Sequence, residues 1–397
     1  MTQSSAPTIA IACGGTGGHL FPGLAVADQL VKRGCAVTLL VSPKEVDQQA
    51  VKMVRGMKVV TLPAVGLQNR NYFSFGWSFL KSLLAAGKAF EGGKLAGALA
   101  MGGFTSAPPI FAAKKLGAKT FLHESNTIPG RANRWLSRFV DECFIGFPQA
   151  ASRLRNGNVT VTGTPVRPQF QMRDPAACRT TLGLEAALPT ILVMGGSQGA
   201  SGINDLFVKS LPLLTTNRKL QFFHLSGPTD AEKVRQAYST AGARAVVHPF
   251  FAEMEVALGA ATVAVSRSGA SSLAELAAVR VPSVLIPFPA ATDNHQFFNA
   301  KAFEENGAAS LLEQKVATPD SLCRMILEYT NDGAARERAQ AALAKWHMPQ
   351  AAEQIAETML KAIAREKERA GSRSHRSHGG CGCGEKHRVE LGAKTTA

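Results

Sequence analysis

The sequence lacks the features of a secreted or membrane-spanning chain. Of its 397 residues, 45% are hydrophobic and only 18% are charged, which is typical of a globular protein of two or three domains rather than a disordered chain. Residues 1–13 contain no basic segment followed by a long apolar run, so we expect no secretory signal and a cytoplasmic location. Glycines and prolines interrupt the uncharged stretch 95–113, which favours a buried strand, a loop and a helix start over a membrane span.

Cysteine is sparse, and no paired spacing of metal ligands is present. The seven cysteines are odd in number and scattered, so we expect free and mostly buried thiols. Cys381 and Cys383 are separated by one residue instead of the two of common zinc sites, and they lie in a glycine-rich basic stretch. We therefore predict a disordered basic tail over residues 370–397. An Asp-x-Asp metal motif is also missing from the chain.

Acidic residues are too few to balance the basic ones. The chain has 44 Lys and Arg against 29 Asp and Glu, a net charge of +15. Residues 1–165 carry +11 of this charge, residues 166–364 carry none and residues 365–397 carry +4. A basic first half suits nucleic acid, an anionic lipid surface or a phosphorylated substrate. We find no recognisable nucleic-acid module and expect no nucleic-acid partner.

The dominant pattern is a short apolar run, then glycines, then an amphipathic stretch. This pattern is typical of strands and helices that alternate around a parallel sheet, and it begins at residue 8 and again at residue 190. The sequence therefore predicts an α/β protein with two doubly wound, Rossmann-like domains that face a central cleft. We assign residues 1–165 to the first domain and 166–348 to the second, followed by a helix over 349–369 that packs back towards the first domain.

Four glycines precede His19 at the point where the first strand should give way to a helix. Glycines here let the backbone approach a ligand while helix N–H groups face an anion. The run is not a dinucleotide fingerprint, because Leu20 stands where a glycine or alanine is wanted and Ser42 ends the second strand in place of an acidic residue. A nicotinamide enzyme is disfavoured, and a tight turn without a ligand stays an alternative.

Three polar clusters follow apolar runs in the second half. Residues 195–199 repeat the run of glycines and add the hydroxyl of Ser197 and the amide of Gln198. Residues 266–275 combine small side chains with a helix start, which suits a diphosphate, and Glu275 lies where it can accept hydrogen bonds from two ribose hydroxyls. Residues 293–296 place polar groups at a strand end, where they meet sugar hydroxyls or simply water.

A second histidine of the first half, His123, follows an apolar pair and should lie at a strand end near the cleft. His19 and His123 come from the ends of different strands of one domain, where an acid–base pair can converge. A lone histidine is more often structural, and the residues themselves do not decide between the two.

Taken in order, these motifs resemble those of one family, the peptidoglycan lipid-intermediate N-acetylglucosaminyltransferases. The resemblance covers about residues 8–365 and rests on residues 14–25, 123–126, 163–167, 195–200 with Asn204, 266–270 with Glu275, and 293–296 with Asn299 and Ala300. It implies the two-domain GT-B glycosyltransferase architecture. It also implies transfer of N-acetylglucosamine from its UDP ester to the 4-hydroxyl of undecaprenyl-diphospho-N-acetylmuramoyl-pentapeptide, which converts lipid I to lipid II in peptidoglycan synthesis.

The resemblance further implies a set of substrate-binding residues, with the uracil near Phe251 and the ribose on Glu275. The full set for UDP-N-acetylglucosamine is Thr16, Gly17, Gly18, Asn126, Arg167, Ser197, Phe251, Ala270, Ser271, Ser272, Leu273, Ala274, Glu275 and Gln296. Ser125 and Phe251 depart from the residues common in the family, which affects fine contacts and not the reaction.

The implied chemistry is a direct displacement with inversion at the anomeric carbon. It needs a base for the acceptor hydroxyl and stabilisation of the departing diphosphate. His19 is our first choice for the base, with His123 as the alternative. The diphosphate is expected to meet Arg167 and the helix N-terminus after residues 268–271. Because the Asp-x-Asp motif is missing, we predict catalysis with no metal and no cofactor.

Aromatic and basic residues are interleaved over residues 67–90, an interfacial pattern. An ordinary helix and loop that cover the core would show a similar pattern, but the +11 of this half favours an anionic inner-membrane surface. We therefore expect a peripheral protein on the cytoplasmic side of the membrane, with cell-wall assembly proteins as further partners.

Other functions stay open at this point. A UDP-N-acetylglucosamine 2-epimerase would share the fold and the donor but would need no lipid-facing surface. A glycosyltransferase that acts on diacylglycerol would keep the surface and change the acceptor. A non-catalytic nucleotide-sugar-binding subunit would be expected to lose the base, whereas His19 is present.

Overall fold

The computed structural model describes residues 6–44, 47–48, 51, 56–63, 72–91, 93–196, 199–216 and 219–377. In the first domain, the strands are β1 Thr8–Ala12, β2 Ala36–Val41, β3 Lys58–Thr61, β4 Leu95–Ala100, β5 Lys119–Glu124, β6 Glu142–Ile145 and β7 Val159–Val161. The helices described there are α1 Gly17–Lys32, α2 Tyr72–Ala89, α3 Ala107–Lys115 and α4 Arg131–Leu136, with a 3₁₀ helix at Pro148–Arg153.

The second domain repeats this alternation. Its strands are β8 Thr190–Met194, β9 Gln221–Leu225, β10 Ala245–His248, β11 Val263–Ser266, β12 Ser283–Leu285 and β13 Ser310–Leu311. Its helices are α5 Pro175–Thr181, α6 Ser201–Thr215, α7 Ala231–Thr240, α8 Met254–Ala260, α9 Ala270–Val279, α10 His295–Glu305, α11 Pro319–Asn331 and α12 Gly333–Trp346, with a 3₁₀ turn at Thr292–Asn294. A last helix, α13 Ala351–Ser377, follows.

Each domain is built on one parallel sheet. The strand order is β3-β2-β1-β4-β5-β6-β7 in the first sheet and β10-β9-β8-β11-β12-β13 in the second. In both sheets the order reverses beside the first strand, between β1 and β4 and between β8 and β11. Ligands of doubly wound sheets bind at the carboxyl ends of the strands at this switch point. The predicted fold class of two doubly wound domains is confirmed.

The apolar runs of the sequence explain why the central strands lie where they do. β1 and β8 are buried along nearly their whole length, and strands buried on both faces read as continuous hydrophobic runs. The uncharged stretch 95–113 forms β4, a glycine loop and the start of α3, as predicted. Within the described residues, no helix is both long and apolar enough to cross a membrane.

Helix α13 returns from the second domain and packs on the first. Ile355, Met359 and Ile363 recur every four residues and are buried in the core cluster of β1 and α1, and each contributes about 1.5–3 kcal/mol of burial. A Cβ atom on Gly97 of β4 would lie 2.8 Å from Ile363 Cδ1, so a larger residue there would force the Ile363 side chain to shift. The helix continues to Ser377, beyond the predicted end at 369, because extending a formed helix adds one hydrogen bond per residue. Residues 378–397 lie outside the described residues.

Candidate active site

The turn between β1 and α1 is held by a buried carboxylate. A Cβ atom on Gly14 would lie 2.3 Å from the Ser42 nitrogen, and Gly15 has a φ of +113°, so both positions require glycine. The Asp47 carboxylate accepts hydrogen bonds from the Gly15 nitrogen at 2.7 Å and from the Ser42 hydroxyl at 2.5 Å. The turn is thereby fixed against the end of β2, and α1 starts after Thr16 without a side-chain cap.

His19 lies in the first turn of α1, with its ring against the glycine loop that follows β4. A Cβ atom on Gly102 would come within 2.8 Å of His19 Cε1, and one on Gly103 within 3.2 Å of Cδ2. The Nδ1 atom is buried and makes no hydrogen bond of regular geometry. Burial lowers the pKa of His19, although the Glu124 carboxylate and the Met101 carbonyl oppose it. The ring is therefore neutral near pH 7 and able to accept a proton.

His123, at the end of β5, is enclosed by its own domain. Its side chain is fully buried, with Nε2 3.0 Å from the Gly163 carbonyl and Nδ1 3.3 Å from the Ser125 hydroxyl. Because a carbonyl only accepts, Nε2 donates its hydrogen and Nδ1 keeps the lone pair. Burial lowers the pKa of His123 to about 4. This placement favours a structural role for His123.

The N-termini of α1 and α9 meet across the cleft. The Ser271 hydroxyl in the first turn of α9 donates a hydrogen bond to the Gly18 carbonyl at 3.1 Å. Helix α9 begins after Gly269, and it has no side-chain cap either. Each helix N-terminus carries a partial positive charge of roughly half an elementary charge. The gap between the two domains therefore suits an anionic group such as a diphosphate.

Arg167, in the segment after β7, faces Glu275 of α9 beside this gap. Nη2 of Arg167 lies 3.9 Å from Oε1 of Glu275, and the side chains are 19% and 17% exposed. The guanidinium lies over the Phe21 ring at 4.3 Å and the Phe170 ring at 5.0 Å, and its Nε has no hydrogen-bond partner. Burial raises the pKa of Glu275 to about 7, although Arg167 lowers it. The pair is loose, so both groups keep hydrogen-bonding capacity for a ligand.

The loops after β11 and β12 form one hydrogen-bonded assembly around Gln296. The Ser268 hydroxyl donates to the Gln296 carbonyl at 2.7 Å, and Gln296 Oε1 accepts from the Phe288 nitrogen at 2.9 Å. Arg267 donates from Nη1 to the carbonyls of residues 286–287, both at 3.0 Å. The contacts of Ser268 and Phe288 with Gln296 thus hold this residue beside the N-terminus of α9.

Asn126 connects the end of β5 to this assembly. Its backbone nitrogen and Nδ2 donate to Glu124 Oε1 at 2.8 and 3.0 Å, and its Oδ1 accepts from Asn299 Nδ2 at 3.0 Å. Glu124 is buried, and its Oε2 also accepts from Asn133 Nδ2 at 2.8 Å. The predicted binding residue Asn126 therefore lies at the contact between the domains.

The remaining predicted binding residues are placed as follows. On α9, Ala270 and Leu273 are buried in the core, and the Leu273 nitrogen donates to the Gly269 carbonyl, whereas Ser272 and Ala274 are half-buried. Thr16 is exposed and Gly17 is half-buried at the start of α1. Phe251 packs against the rings of Phe223 and His248, with centroids 5.2 and 5.6 Å away. Ser197 lies outside the described residues.

Sequence analysis missed one group at this site and gave no contact for two others. Asp47 gave no signal, because only the turn after β2 brings it under the glycine loop. Asp293 of the second domain has a φ of +51° and pairs at 2.5 Å with Arg134 of the first, a contact that needs both domains. His295 is close enough to lower the pKa of His19. The motif at 293–296 was the one signal that pointed to Asp293 and His295.

Helix α2 presents an apolar and basic surface to solvent. Trp77 is 58% exposed, Leu80 43% and Leu84 65%. The Lys81 amine stands 5.3 Å over the Trp77 ring. Phe79, by contrast, packs on an aromatic ring of α3 with centroids 6.4 Å apart. Residues 67–71 and the side chains of residues 72–74 lie outside the described part of the chain.

The described thiols are buried, and the metal-ligating side chains of the described residues are dispersed. Cysteines 13, 35, 143, 178 and 323 are buried and free, which confirms the expectation for these five, and Cys381 and Cys383 lie outside the described residues. In the described ranges, no group of three or more His, Cys, Asp or Glu side chains is arranged to hold a metal ion.

Comparison with known proteins identifies the family. The model of the glycosyltransferase family 28 N-terminal domain matches residues 9–145, and that of the C-terminal domain matches residues 190–355. A curated relative from Syntrophus aciditrophicus is 36% identical over 326 residues, which are 81% of this chain and 89% of the relative. It is named UDP-N-acetylglucosamine--N-acetylmuramyl-(pentapeptide) pyrophosphoryl-undecaprenol N-acetylglucosamine transferase.

Two solved structures share the fold of this chain, and one of them is also similar in sequence. The crystal structure of Acinetobacter baumannii MurG has a TM-score of 0.71 and 26% identity, and the match covers 89% of this chain and 99% of MurG. A structure from Listeria monocytogenes assigned as a UDP-N-acetylglucosamine 2-epimerase has a TM-score of 0.65 over 88% of this chain and 94% of that one, but only 13% identity, so it shares the fold alone. The chain therefore belongs to glycosyltransferase family 28 and, within it, to the family of UDP-N-acetylglucosamine--N-acetylmuramyl-(pentapeptide) pyrophosphoryl-undecaprenol N-acetylglucosamine transferases.

Proposed function

We propose that this chain transfers N-acetylglucosamine from UDP-N-acetylglucosamine to the 4-hydroxyl of undecaprenyl-diphospho-N-acetylmuramoyl-pentapeptide, which turns lipid I into lipid II. The observation that carries the proposal is the meeting of two uncapped helix N-termini across the cleft, at the Gly18–Ser271 contact, with His19 in the same turn as Gly18. An anionic leaving group and a neutral base are thereby brought to one place. The curated relatives, at 32–37% identity, carry the same activity in their names.

His19 is the base of the proposed reaction. The neutral His19 ring carries a lone pair on one of its two nitrogens. In our proposal this nitrogen is Nε2, because Nδ1 is buried. Nε2 accepts the proton of the acceptor 4-hydroxyl while that oxygen forms its bond to the anomeric carbon. The bond from the anomeric carbon to the diphosphate oxygen breaks on the opposite face, so the configuration inverts and UDP leaves. General-base catalysis of this kind contributes about 100- to 10,000-fold in rate.

The departing diphosphate is met by fixed positive charge. The N-terminal amides of α9 lie at the gap, and the Arg167 guanidinium stands 3.9 Å from Glu275 of the same helix. Because these groups are already in place, they stabilise the growing negative charge without reorganisation. The chain has no Asp-x-Asp motif, and in our proposal the reaction uses neither a metal ion nor a cofactor.

Donor recognition is assigned to groups around the same gap. The Glu275 carboxylate accepts hydrogen bonds from the two ribose hydroxyls, and Phe251 lies near the uracil. Gln296 and Asn126 contact the sugar from the two sides of the cleft. Arg167 changes its partner from Glu275 to the diphosphate when the donor enters, which the long distance of 3.9 Å between them favours.

The lipid acceptor is reached from the membrane surface. The exposed Trp77, Leu80 and Leu84 and the neighbouring Lys81 form one face of α2, and residues 1–165 carry a net charge of +11. Apolar side chains among cations bind the boundary of an anionic bilayer. We place the protein at the cytoplasmic side of the membrane as a peripheral enzyme. Cell-wall assembly proteins are its proposed partners there, and nucleic acid is not a partner.

The test is transfer of labelled sugar in the presence of a chelator. UDP-N-acetylglucosamine with a radiolabelled sugar is incubated with the chain and the lipid acceptor, and the lipid phase is extracted and counted. We expect label in the lipid phase with the normal acceptor and none with an acceptor that lacks its 4-hydroxyl. Label transferred to the 4-deoxy acceptor, or full loss of transfer on chelation, would contradict the proposal.

A further inference from the structure

A fully buried asparagine joins the two domains. Asn299 lies on α10, one turn after Gln296, and its side chain is inaccessible to solvent. Oδ1 accepts hydrogen bonds from the nitrogen and the hydroxyl of Thr127, each at 2.9 Å. Nδ2 donates to Asn126 Oδ1 at 3.0 Å and to the Ser268 carbonyl at 3.2 Å. All four hydrogen-bonding positions of the amide are filled, three of them by the first domain.

The neighbours of Asn299 fix the direction of its amide. Asn126 cannot turn its own amide around, because its Nδ2 donates to Glu124 Oε1 at 3.0 Å. On the other side, the Ser268 hydroxyl donates to the Gln296 carbonyl at 2.7 Å. A continuous path of hydrogen bonds therefore runs from the end of β5 through Asn299 to the loops that hold Gln296.

We propose that Asn299 is a positioning residue for the transfer: its amide aligns the Ser268 and Gln296 loops of the second domain with Asn126 of the first when the domains meet. This inference rests on the proposed function, because it concerns the geometry of that same site. Asn299 acts through the residues it holds. The amide makes three of its four bonds only while the two domains are in contact, so this contact and the alignment of the two halves of the site occur together.

Replacing the amide nitrogen of Asn299 by an oxygen distinguishes a positioning role of this residue from simple packing. Asn299→Asp keeps the volume of the side chain but places an oxygen where Nδ2 donates. That oxygen then faces Asn126 Oδ1 and the Ser268 carbonyl, neither of which can donate. Protonation of the new carboxyl restores one donor, so the defect should diminish as the pH falls. A packing defect would not depend on pH.

Other charged groups lie around this amide and must be accounted for. Glu124 lies on the β5 side, and Asp293 and His295 lie at the start of α10. Arg131 and Arg134 of α4 reach Asp293 at 3.5 and 2.5 Å. These groups are the same in the wild-type chain and in the variant. Dividing kcat of the variant by kcat of the wild type at each pH therefore cancels the titration of these shared groups. The pH dependence that remains in the ratio is that of residue 299.

The first experiment measures kcat of Asn299→Asp and of the wild type with a short-chain acceptor at about pH 5.5 and pH 8. We expect kcat of the variant to be about 10- to 100-fold lower at pH 8, because two buried acceptors lose their donor. The ratio should recover at least about fivefold at pH 5.5, and the Kd for UDP should stay within about threefold. The control is Asn306→Asp, at an exposed position at the end of the same helix whose Nδ2 donates to the Ala302 carbonyl at 2.8 Å.

A second readout does not depend on catalysis. Asn299→Ala removes the acceptor of the Thr127 amide, so hydrogen exchange at Thr127 should become at least about tenfold faster than in the wild type. A pH-independent rate ratio equal to that of Asn306→Asp, or unchanged exchange at Thr127, overturns the inference. If the wild type transfers no sugar, the proposed function fails, and exchange at Thr127 alone decides whether Asn299 holds the domains together.

Discussion

Replacing Glu275 by glutamine should stabilise the fold at alkaline pH while it weakens donor binding. Burial raises the pKa of Glu275 from its usual 4.5 to about 7, against the lowering effect of Arg167. Between these values the folded chain holds a proton that the unfolded chain has released, and it loses this proton as the pH rises through 7. At about 1.4 kcal/mol per pH unit, the folded state is destabilised by at most about 3 kcal/mol at pH 8 and hardly at all below pH 4.

Thermal unfolding at pH 5 and pH 8 measures the stability effect. Glutamine does not ionise, so the variant should gain in Tm over the wild type as the pH rises, by up to roughly 10 °C at pH 8 for a domain of this size. Glu337→Gln, at an exposed position on α12, is the matched control and should give the same Tm difference at both pH values.

Calorimetric titration with UDP measures the opposite effect on binding. Hydrogen bonds to a charged acceptor are stronger than those to a neutral one by about 1–2 kcal/mol, so Glu275→Gln should weaken UDP binding roughly 5- to 30-fold at pH 8. At pH 5.5 the wild-type carboxyl is mostly protonated, and the two affinities should converge. A variant that melts with the pH dependence of the wild type, or that binds UDP as tightly at pH 8, would refute the assignment of Glu275 as a buried ribose ligand.

Three further changes test the other parts of the site. His19→Gln should lower kcat by at least about 100-fold and leave the Kd for UDP within about threefold, since it removes the base and not a donor contact; an unchanged kcat excludes His19. Gly102→Ala places a Cβ 2.8 Å from Cε1 of that ring and should lower kcat with little effect on UDP binding, whereas Gly157→Ala, with open space around it, should be neutral in the same assay. Changing Trp77 and Leu84 together to serine should reduce activity on acceptor in anionic vesicles and spare activity on a short-chain soluble acceptor. Equal losses on both acceptors would instead indicate a role of α2 in folding.

Features that depend on neighbouring residues were predictable from the sequence. The apolar runs before residues 14 and 195 predicted β1 and β8, and the glycines after them predicted the turns. Gly15 has a φ of +113°, a backbone conformation that other residues rarely adopt. The turn therefore requires glycine at this position, and the glycine is visible in the local sequence. The polar cluster at residues 266–275 was predictable for the same reason, because its small side chains and helix start are adjacent in the sequence.

Contacts between distant parts of the chain were not predictable. Thr127 and Asn299 are 172 positions apart, and the pairing of Asp293 with Arg134 needs the two domains to meet. The stretch 67–90, which includes Phe79, was assigned to the membrane surface, but Phe79 packs on α3, because one helix carries both a buried and an exposed face. The resemblance made His19 the first choice for the base but did not exclude His123, whose burial and hydrogen bonds within its own domain are visible only in the structure.

The most direct measurement is release of UDP from UDP-N-acetylglucosamine, with and without undecaprenyl-diphospho-N-acetylmuramoyl-pentapeptide, in the presence of a chelator. We predict release that depends on the acceptor and matches, mole for mole, the sugar that appears on the lipid. Release without the acceptor, accompanied by N-acetylmannosamine, would contradict the transferase and support a 2-epimerase instead.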